Sequence, residues 1–299
     1  MKAENKMREQ SYKSHIFAAA MLFVMGNTVI TLPFCKQENF LLVFLLSAVF
    51  CIAFILLTIP ILKYAFAYKQ SVLKKIVLFI TVPAVVAAAA YGAVSAFLDY
   101  ISFVRDIQLS QTSGILITAA MLVLIVEFVI CSGSAILKFC LLMAVITLAV
   151  VLLLFAVSIK MFDISYLNFS LNFSGVEFSA SVKYFLKYFS VTVVPIAFAL
   201  QTQQQTSVSN IISGVSAGLL AVVLCLLQSV FVLGGAVYQY SYPYIYAVSA
   251  FSSGSLFTRL DGLVYFMFFA VTAAKVGICV KTIVLIIKFI TKNNKIGIC

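Results

Sequence analysis

Eight long apolar stretches follow one another along this chain, and they limit the folds open to it more than any other feature. A helix needs roughly 20 apolar residues to cross the hydrocarbon core of a bilayer. Of the 299 residues, 64% are hydrophobic and only 10% are charged. A water-soluble core cannot hide that much apolar surface, because soluble domains carry about twice as many charged residues. We therefore predict an all-α polytopic membrane protein.

Polar and charged residues bound each predicted helix. The helices are expected at 15–34, 40–62, 76–98, 113–132, 138–159, 185–202, 210–234 and 259–289. The sixth is the shortest, and the last is long enough to tilt or to extend beyond the bilayer. Together they form one transmembrane domain over residues 15–290, between a basic tail at 1–14 and a short tail at 291–299.

The distribution of basic residues predicts the orientation. Most Lys and Arg residues lie in the N-terminal tail, the C-terminal end and the loops expected on the same side. Basic residues mark the cytoplasmic side of membrane proteins. We therefore expect both termini in the cytoplasm of a bacterial cell. The net charge of +11 is accounted for by this topology, and no nucleic-acid partner is expected.

The sequence gives no sign of catalytic chemistry. It contains no nucleophile–base pair, metal-binding cluster or paired carboxylates at a usable spacing. We therefore expect neither an enzyme nor a bound cofactor or metal. The seven cysteines are scattered, most of them in apolar runs, which is typical of small buried hydrophobic residues.

The stretch VMGNTVITLPF, at 24–34, lies within the first apolar segment. Gly26, Asn27 and Thr28 are weak helix formers, and Pro33 follows. A spanning helix can open only where its freed backbone groups face protein or a water-filled cavity. In secondary transporters such openings hold ligands and ions. The alternative is a tolerated irregularity, because Gly and Pro are common in membrane helices.

The sixth apolar segment contains a second candidate interruption, at Pro195. A pair of interrupted helices is the best sequence indication of a transporter site. We expect the ligand-binding residues to lie on these two helices and on the third and eighth. The candidates are Gly26, Asn27, Thr28, Thr31, Tyr91, Pro195, Ala197, Phe198 and Thr272.

Two of the ionisable residues inside predicted spans are candidates for a role in the interior of the bundle. Glu127 lies in the fourth and Lys275 in the eighth. Such residues usually face the interior of the bundle, so they are candidates for ion or proton coupling or for a buried pair. Lys275 has a further alternative, in which its amine reaches the membrane interface.

Two groups of polar residues outside the predicted spans have simpler interpretations. Asp99, Arg105 and Asp106 are expected in a solvated loop. The tyrosine-rich segment YQYSYPYIY at 238–246 is expected in an interfacial aromatic belt, and the alternative is a gate over an outer vestibule.

Two sequence patterns resemble those of a known family. In residues 242–266, YPYIYAVSAFSSGSLFTRLDGLVYF, a proline-containing segment leads through a small-residue turn to Arg259-Leu260-Asp261 and an apolar helix. The first helix has a Gly-x-x-x-hydrophobic-x-x-Pro pattern that includes Pro33. Both resemble the spore-germination receptor B-subunits, also called spore permeases, a branch of the amino acid–polyamine–organocation transporters. On this resemblance, Pro33, Arg259 and Asp261 are structural signature residues.

The resemblance implies a LeuT-type bundle with discontinuous helices one and six, in which the last two of the usual ten helices are absent. It implies binding of a nutrient germinant, and an amino acid is the expected class. The partners would be an A-type membrane subunit and a C-type lipoprotein subunit in the inner membrane of a spore. Two alternatives remain at this point: an amino-acid/proton or cation symporter, and a degenerate, non-transporting membrane scaffold.

Overall fold

The chain folds into long helices, seven of which are long and apolar enough to cross a membrane. The computed structural model describes residues 2–37, 39–66, 72–108, 114–166, 175–202, 208–252 and 260–296, and it has no β-strand in these ranges. The prediction of an all-α, multi-pass membrane protein is therefore confirmed.

The α-helices are numbered in chain order. They are α1 (Lys2–Thr31), α2 (Phe40–Phe66), α3 (Val72–Phe103), α4 (Gly114–Ile130), α5 (Gly133–Ser158), α6 (Gly175–Tyr184), α7 (Val193–Thr202), α8 (Val208–Leu233), α9 (Pro243–Ser252) and α10 (Leu260–Ile296). Short 3₁₀ and π-helical turns join several of them.

Two helices form the interior of the bundle. In the apolar spans, 82% of α1 and 72% of α10 are buried, compared with 17% of α3. α10 packs against α1, α3, α4, α5 and α7, and α1 also packs along α8. The outward faces of α2 and α3 expose large apolar side chains such as Leu57 and Phe79, as expected for surfaces that contact lipid.

Close approach of α1 and α8 depends on two glycines. A Cβ at Gly218 would lie 2.7 Å from the carbonyl oxygen of Met21, and a Cβ at Gly214 would collide with the carbonyl oxygen of Phe17. This spacing of small residues four apart lets two membrane helices pack backbone to backbone. The sequence GVSAG at 214–218 carries this signal, and our sequence analysis missed it.

Seven of the eight predicted spans coincide with the seven long apolar helices, and the remaining one, predicted at 113–132, is α4, whose described apolar part, Thr118–Ile130, is shorter than a full span. The other disagreements have local causes. The sixth extends over 175–202, ten residues earlier than predicted, because the polar start of α6 hides the helix from a hydropathy criterion. α9 was not predicted at all, since its ten residues are too few for a span. α3 continues to Phe103, so Asp99 belongs to a helix and the prediction of a solvated loop is wrong for this residue.

The sixth span is irregular, although not at the predicted place. A π-helical turn at Phe185–Phe189 and a 3₁₀ turn at Ser190–Thr192 separate α6 from α7. Pro195 lies in the first turn of α7, where the missing N–H has no helical partner to lose. The proline therefore does not interrupt the helix, and the change of helical type precedes it.

Candidate functional site

The first membrane helix is broken at Gly26, inside the stretch that the sequence singled out. The backbone there has φ 16° and ψ −129°, so α1 consists of two helical halves that meet at a kink. The side chain of Lys275, from α10, lies against this glycine. A Cβ at Gly26 would collide with Lys275 Cδ and would lie 3.2 Å from Nζ. The absence of a side chain at Gly26 is therefore what admits the lysine.

Lys275 does not reach the membrane interface. Its side chain is only 1% exposed, and its Nζ lies 5.2 Å from the centre of the Phe23 ring. An ammonium over an aromatic face gains electrostatic stabilisation that a desolvated site strengthens. The alternative in which Lys275 snorkels is therefore wrong, and a cationic side chain lies in the interior where the backbone of α1 opens.

Two buried hydroxyl groups lie within one helical turn of this contact. Thr28 is two residues beyond Gly26, and Thr272 is three residues before Lys275. Both are fully buried, and among the described side chains the Oγ1 atoms of both have no hydrogen-bond partner. A buried hydroxyl without a partner costs free energy, so these groups are suited to meet a polar ligand. Both were candidates from the sequence.

The candidates on α7 are buried beside the same two helices. Pro195, Ala197 and Phe198 are buried, and α7 packs against both α1 and α10. They contribute an apolar wall, since none carries a polar side chain. The structure thus brings the candidates on α1, α7 and α10 into one packed region.

Glu127 is not part of this region. Its side chain is exposed, because α4 turns Met121 and Phe128 towards the bundle instead. Phe128 packs against Gly277, and Lys275 points to α1. The expectation that Glu127 forms a buried pair is therefore wrong, and its proposed role in coupling loses its structural basis.

Tyr91 also departs from the prediction. It is 46% exposed, and its hydroxyl lies 3.5 Å from the carbonyl oxygen of Lys187 in the π-helical turn. Its neighbour Gly92 is the residue that faces inward, towards Cys279. Tyr91 therefore does not line an enclosed pocket. The side chain of Asn27 and the whole of Arg259 lie outside the described residues.

A polar cavity opens at the end of the bundle away from the N-terminus, and we call it the outer cavity. Its volume is about 400 Å³. The lining includes one carboxylate, Asp99, two ammonium groups, Lys183 and Lys187, and the side chains of Tyr184, Tyr188 and Tyr242. Thr31, at the outer end of α1, and Pro33, just after it, complete one wall. The signature residue Pro33 thus begins a 3₁₀ turn at the cavity.

Tyr242 is held in place by a carboxylate. Its hydroxyl donates to Asp106 Oδ2 at 3.2 Å. Burial, together with the negative charge of Asp106, raises the pKa of the Tyr242 hydroxyl to about 12, so it stays protonated at physiological pH. The tyrosine segment therefore divides: Tyr242 faces the cavity, whereas Tyr238 is exposed as expected of an aromatic belt.

The outer end of α1 is fixed by a rare backbone conformation and by aromatic contacts. Leu32 has φ 35° and ψ 60°, a left-handed conformation that costs a non-glycine residue about 1–2 kcal/mol. Two residues further on, the Phe34 ring packs 4.9 Å from the Tyr184 ring and 5.0 Å from the Phe44 ring, measured between ring centres. The short outer half of α1 therefore connects the break to the wall of the outer cavity.

The third signature residue has a structural role. Asp261 Oδ1 accepts a hydrogen bond from Ser249 Oγ at 3.1 Å, which joins the start of α10 to α9. A carboxylate in the first turn also favours the helix electrostatically.

Comparison of the chain with family models, curated proteins and solved structures finds no match. The resemblance to the spore-germination receptor subunits therefore rests on the sequence patterns alone.

Proposed function

We propose that this chain is the nutrient-binding membrane subunit of a spore germination receptor, and that it holds its ligand, an amino acid, at the break in α1. The observation that supports this most is the meeting of an opened helix with a buried lysine and two buried hydroxyls without partners. A cation and hydroxyl groups beside a kinked helix are what a small polar ligand requires in the interior of a bundle.

The proposed fold is a LeuT-type bundle with discontinuous helices one and six. The kink at Gly26 and the π and 3₁₀ turns between α6 and α7 support it. Ligand binding shifts the bundle between two conformations, which requires different affinities for the two. The A-type and C-type subunits then receive the change in the inner membrane of the spore, with both termini of this chain in the cytoplasm.

Ligand-dependent thermal stabilisation of the purified chain tests this function. Amino acids, nucleosides and sugars are screened singly, and we expect an amino acid to raise Tm in a concentration-dependent way, since a ligand that binds only the folded state stabilises it. Gly26→Leu is expected to abolish the response because the added side chain meets Lys275. Gly262→Leu is the matched control, since a Cβ there has no neighbour within 4 Å.

Full retention of the response in Gly26→Leu would place the ligand elsewhere. A flat screen, together with normal germination of spores that lack the chain, would leave the scaffold as the better account.

A second function, an amino-acid/proton symporter of the same fold, is favoured by Lys275 specifically. An amine in the membrane interior can take up and release a proton as the bundle opens and closes. Proteoliposomes with a pH gradient are expected to accumulate the amino acid identified by the screen, and Lys275→Met to stop accumulation while the exposed Lys288→Met does not. Binding without flux would favour the receptor.

A further inference from the structure

The outer cavity brings together groups of opposite charge from distant parts of the chain. Asp99 comes from α3, Lys183 from α6 and Lys187 from the π-helical turn after it. Asp99 lies close enough to Lys187 and to Tyr242 to act on both electrostatically. The break in α1 and the outer cavity are separate places, because Lys275, which lies against the break, is fully enclosed and does not line the outer cavity.

We propose that the outer cavity is a second binding site, specific for a small zwitterion with one carboxylate and one ammonium group. The carboxylate lies between Lys183 and Lys187, and the ammonium lies at Asp99. A volume of about 400 Å³ is within the range of small-molecule sites, and an α-amino acid fits it.

Each half of the ligand finds a chemically matched partner. Lysine ammonium groups are strong donors to a carboxylate. A carboxylate such as Asp99 has two oxygens and several lone pairs, so it accepts a ligand ammonium in addition to its contacts within the protein. The Tyr188 ring, which is 4% exposed, lies under the Lys187 ammonium, with 5.1 Å between Nζ and the ring centre, so it helps to hold Lys187 at the lining.

Tyr242 adds a fixed hydroxyl to the lining. Because the Tyr242 hydroxyl donates its hydrogen bond to Asp106, its oxygen is left to accept a hydrogen bond from a ligand. This favours a ligand that carries N–H groups over one that carries only carboxylates.

The position of the cavity links it to the break in α1. Thr31 and Pro33 form part of its wall, and only residues 27–30 separate Thr31 from Gly26. A ligand in the outer cavity therefore contacts the outer half of α1, whose other end meets the buried lysine. The site deepens the proposed function, since it is where a nutrient first meets the receptor.

Protection of an introduced cysteine tests this site directly. Ser241 lines the cavity, and Ser241→Cys is labelled in the full chain with the neutral reagent N-ethylmaleimide. Ser165→Cys, an exposed residue that does not line the cavity, is the matched control, and the unsubstituted chain gives the background from its own cysteines. The twenty α-amino acids are added singly, with acetate and ethylamine as half-ligands at the same concentrations.

We expect at least one amino acid to slow labelling at position 241 by fivefold or more, with no change at position 165 and none from acetate or ethylamine. Asp99→Asn and Lys187→Gln are each expected to abolish protection in chains whose Tm shows that they are folded. Equal protection by acetate would reveal a plain anion site and overturn the proposal, as would no protection by any amino acid.

The same data separate this proposal from the proposed function. Amino acids that raise Tm but leave labelling at position 241 unchanged would remove the outer site and keep the ligand at the break. Protection at position 241 with a Tm response that is indifferent to Gly26→Leu would keep the outer site and remove the ligand from the break.

Discussion

At the scale of single residues, the contact between Gly26 and Lys275 explains two features together. The helix opens at a glycine, and the space that a side chain would occupy holds the stem of a buried lysine. Neither residue is interpretable alone, because an isolated glycine in a membrane helix is common and an isolated lysine near a helix end reaches the interface.

Gly26→Ala is expected to lower the free energy of unfolding by about 1–3 kcal/mol, the usual cost of an extra methyl group in a packed interior. Lys275 cannot move aside easily because it is fully enclosed. Gly262→Ala, in the first turn of α10 and without close neighbours, is expected to be neutral or stabilising by up to about 1 kcal/mol.

The double variant Gly26→Ala with Lys275→Ala checks the cause. Removal of the lysine stem makes room for the added methyl group, so the two effects should be clearly less than additive. If the changes in unfolding free energy simply add, in chemical or thermal denaturation, the contact with Lys275 is not the reason that position 26 excludes a side chain.

Lys281 is a second buried lysine, and its structural role differs from that of Lys275. Its Nζ donates to the carbonyl oxygen of Val129 at 3.0 Å and also to that of Cys131. These carbonyls stand at the end of α4, where a helix leaves its last C=O groups without helical partners. The amine therefore caps α4 from a neighbouring helix.

Lys281→Met is expected to destabilise the protein by about 1–3 kcal/mol, because buried carbonyls lose their donor. Lys288→Met, at an exposed position of the same helix, should change stability by no more than about 0.5 kcal/mol. Thermal denaturation in detergent compares the two. Equal effects would mean that the cap contributes nothing of its own.

At the scale of helices, the approach of α8 to α1 holds the broken helix in place. Gly214 and Gly218 bring the two backbones into contact over the inner half of α1, so the inner half is fixed while the outer half leads to the cavity. A rigid inner half and a short outer half are the parts that a ligand-dependent change requires.

Gly218→Leu is expected to destabilise the bundle by at least about 2 kcal/mol, because its Cβ meets backbone, which cannot rotate away as a side chain does. Ser216→Leu adds the same side chain at an exposed position of α8 and should fold normally. Retention of normal Tm in Gly218→Leu would contradict the close packing of α1 and α8.

At the scale of the whole molecule, apolar length and composition were enough to predict the class of protein and most helix positions. They could not predict α9 or the beginning of α6, because both are short or polar and gain their stability from packing. The break at Gly26 was visible from weak helix formers. The contact of Lys275 with Gly26 was not visible, because packing determines which faces of α4 and α10 turn towards the bundle. For the same reason Glu127 was wrongly placed inside.

The orientation of the molecule remains a prediction from its basic residues. A single cysteine at Ser165 should react with a membrane-impermeant thiol reagent added to intact cells, whereas a single cysteine at Lys288 should react only after the cells are permeabilised. Reaction of position 288 but not of position 165 in intact cells would contradict the proposed topology and would place the outer cavity on the cytoplasmic face.

Hydrogen–deuterium exchange of α1 in lipid nanodiscs tests the central claim, a ligand-holding break at Gly26, most directly. Amides freed at a break exchange faster than those in a continuous helix. We therefore expect peptides covering residues 24–31 to exchange faster than those covering 215–230 of α8, and to slow when the stabilising amino acid is added, with α8 unchanged. Slow exchange in both regions, or a ligand effect that is the same in α8, would contradict the account.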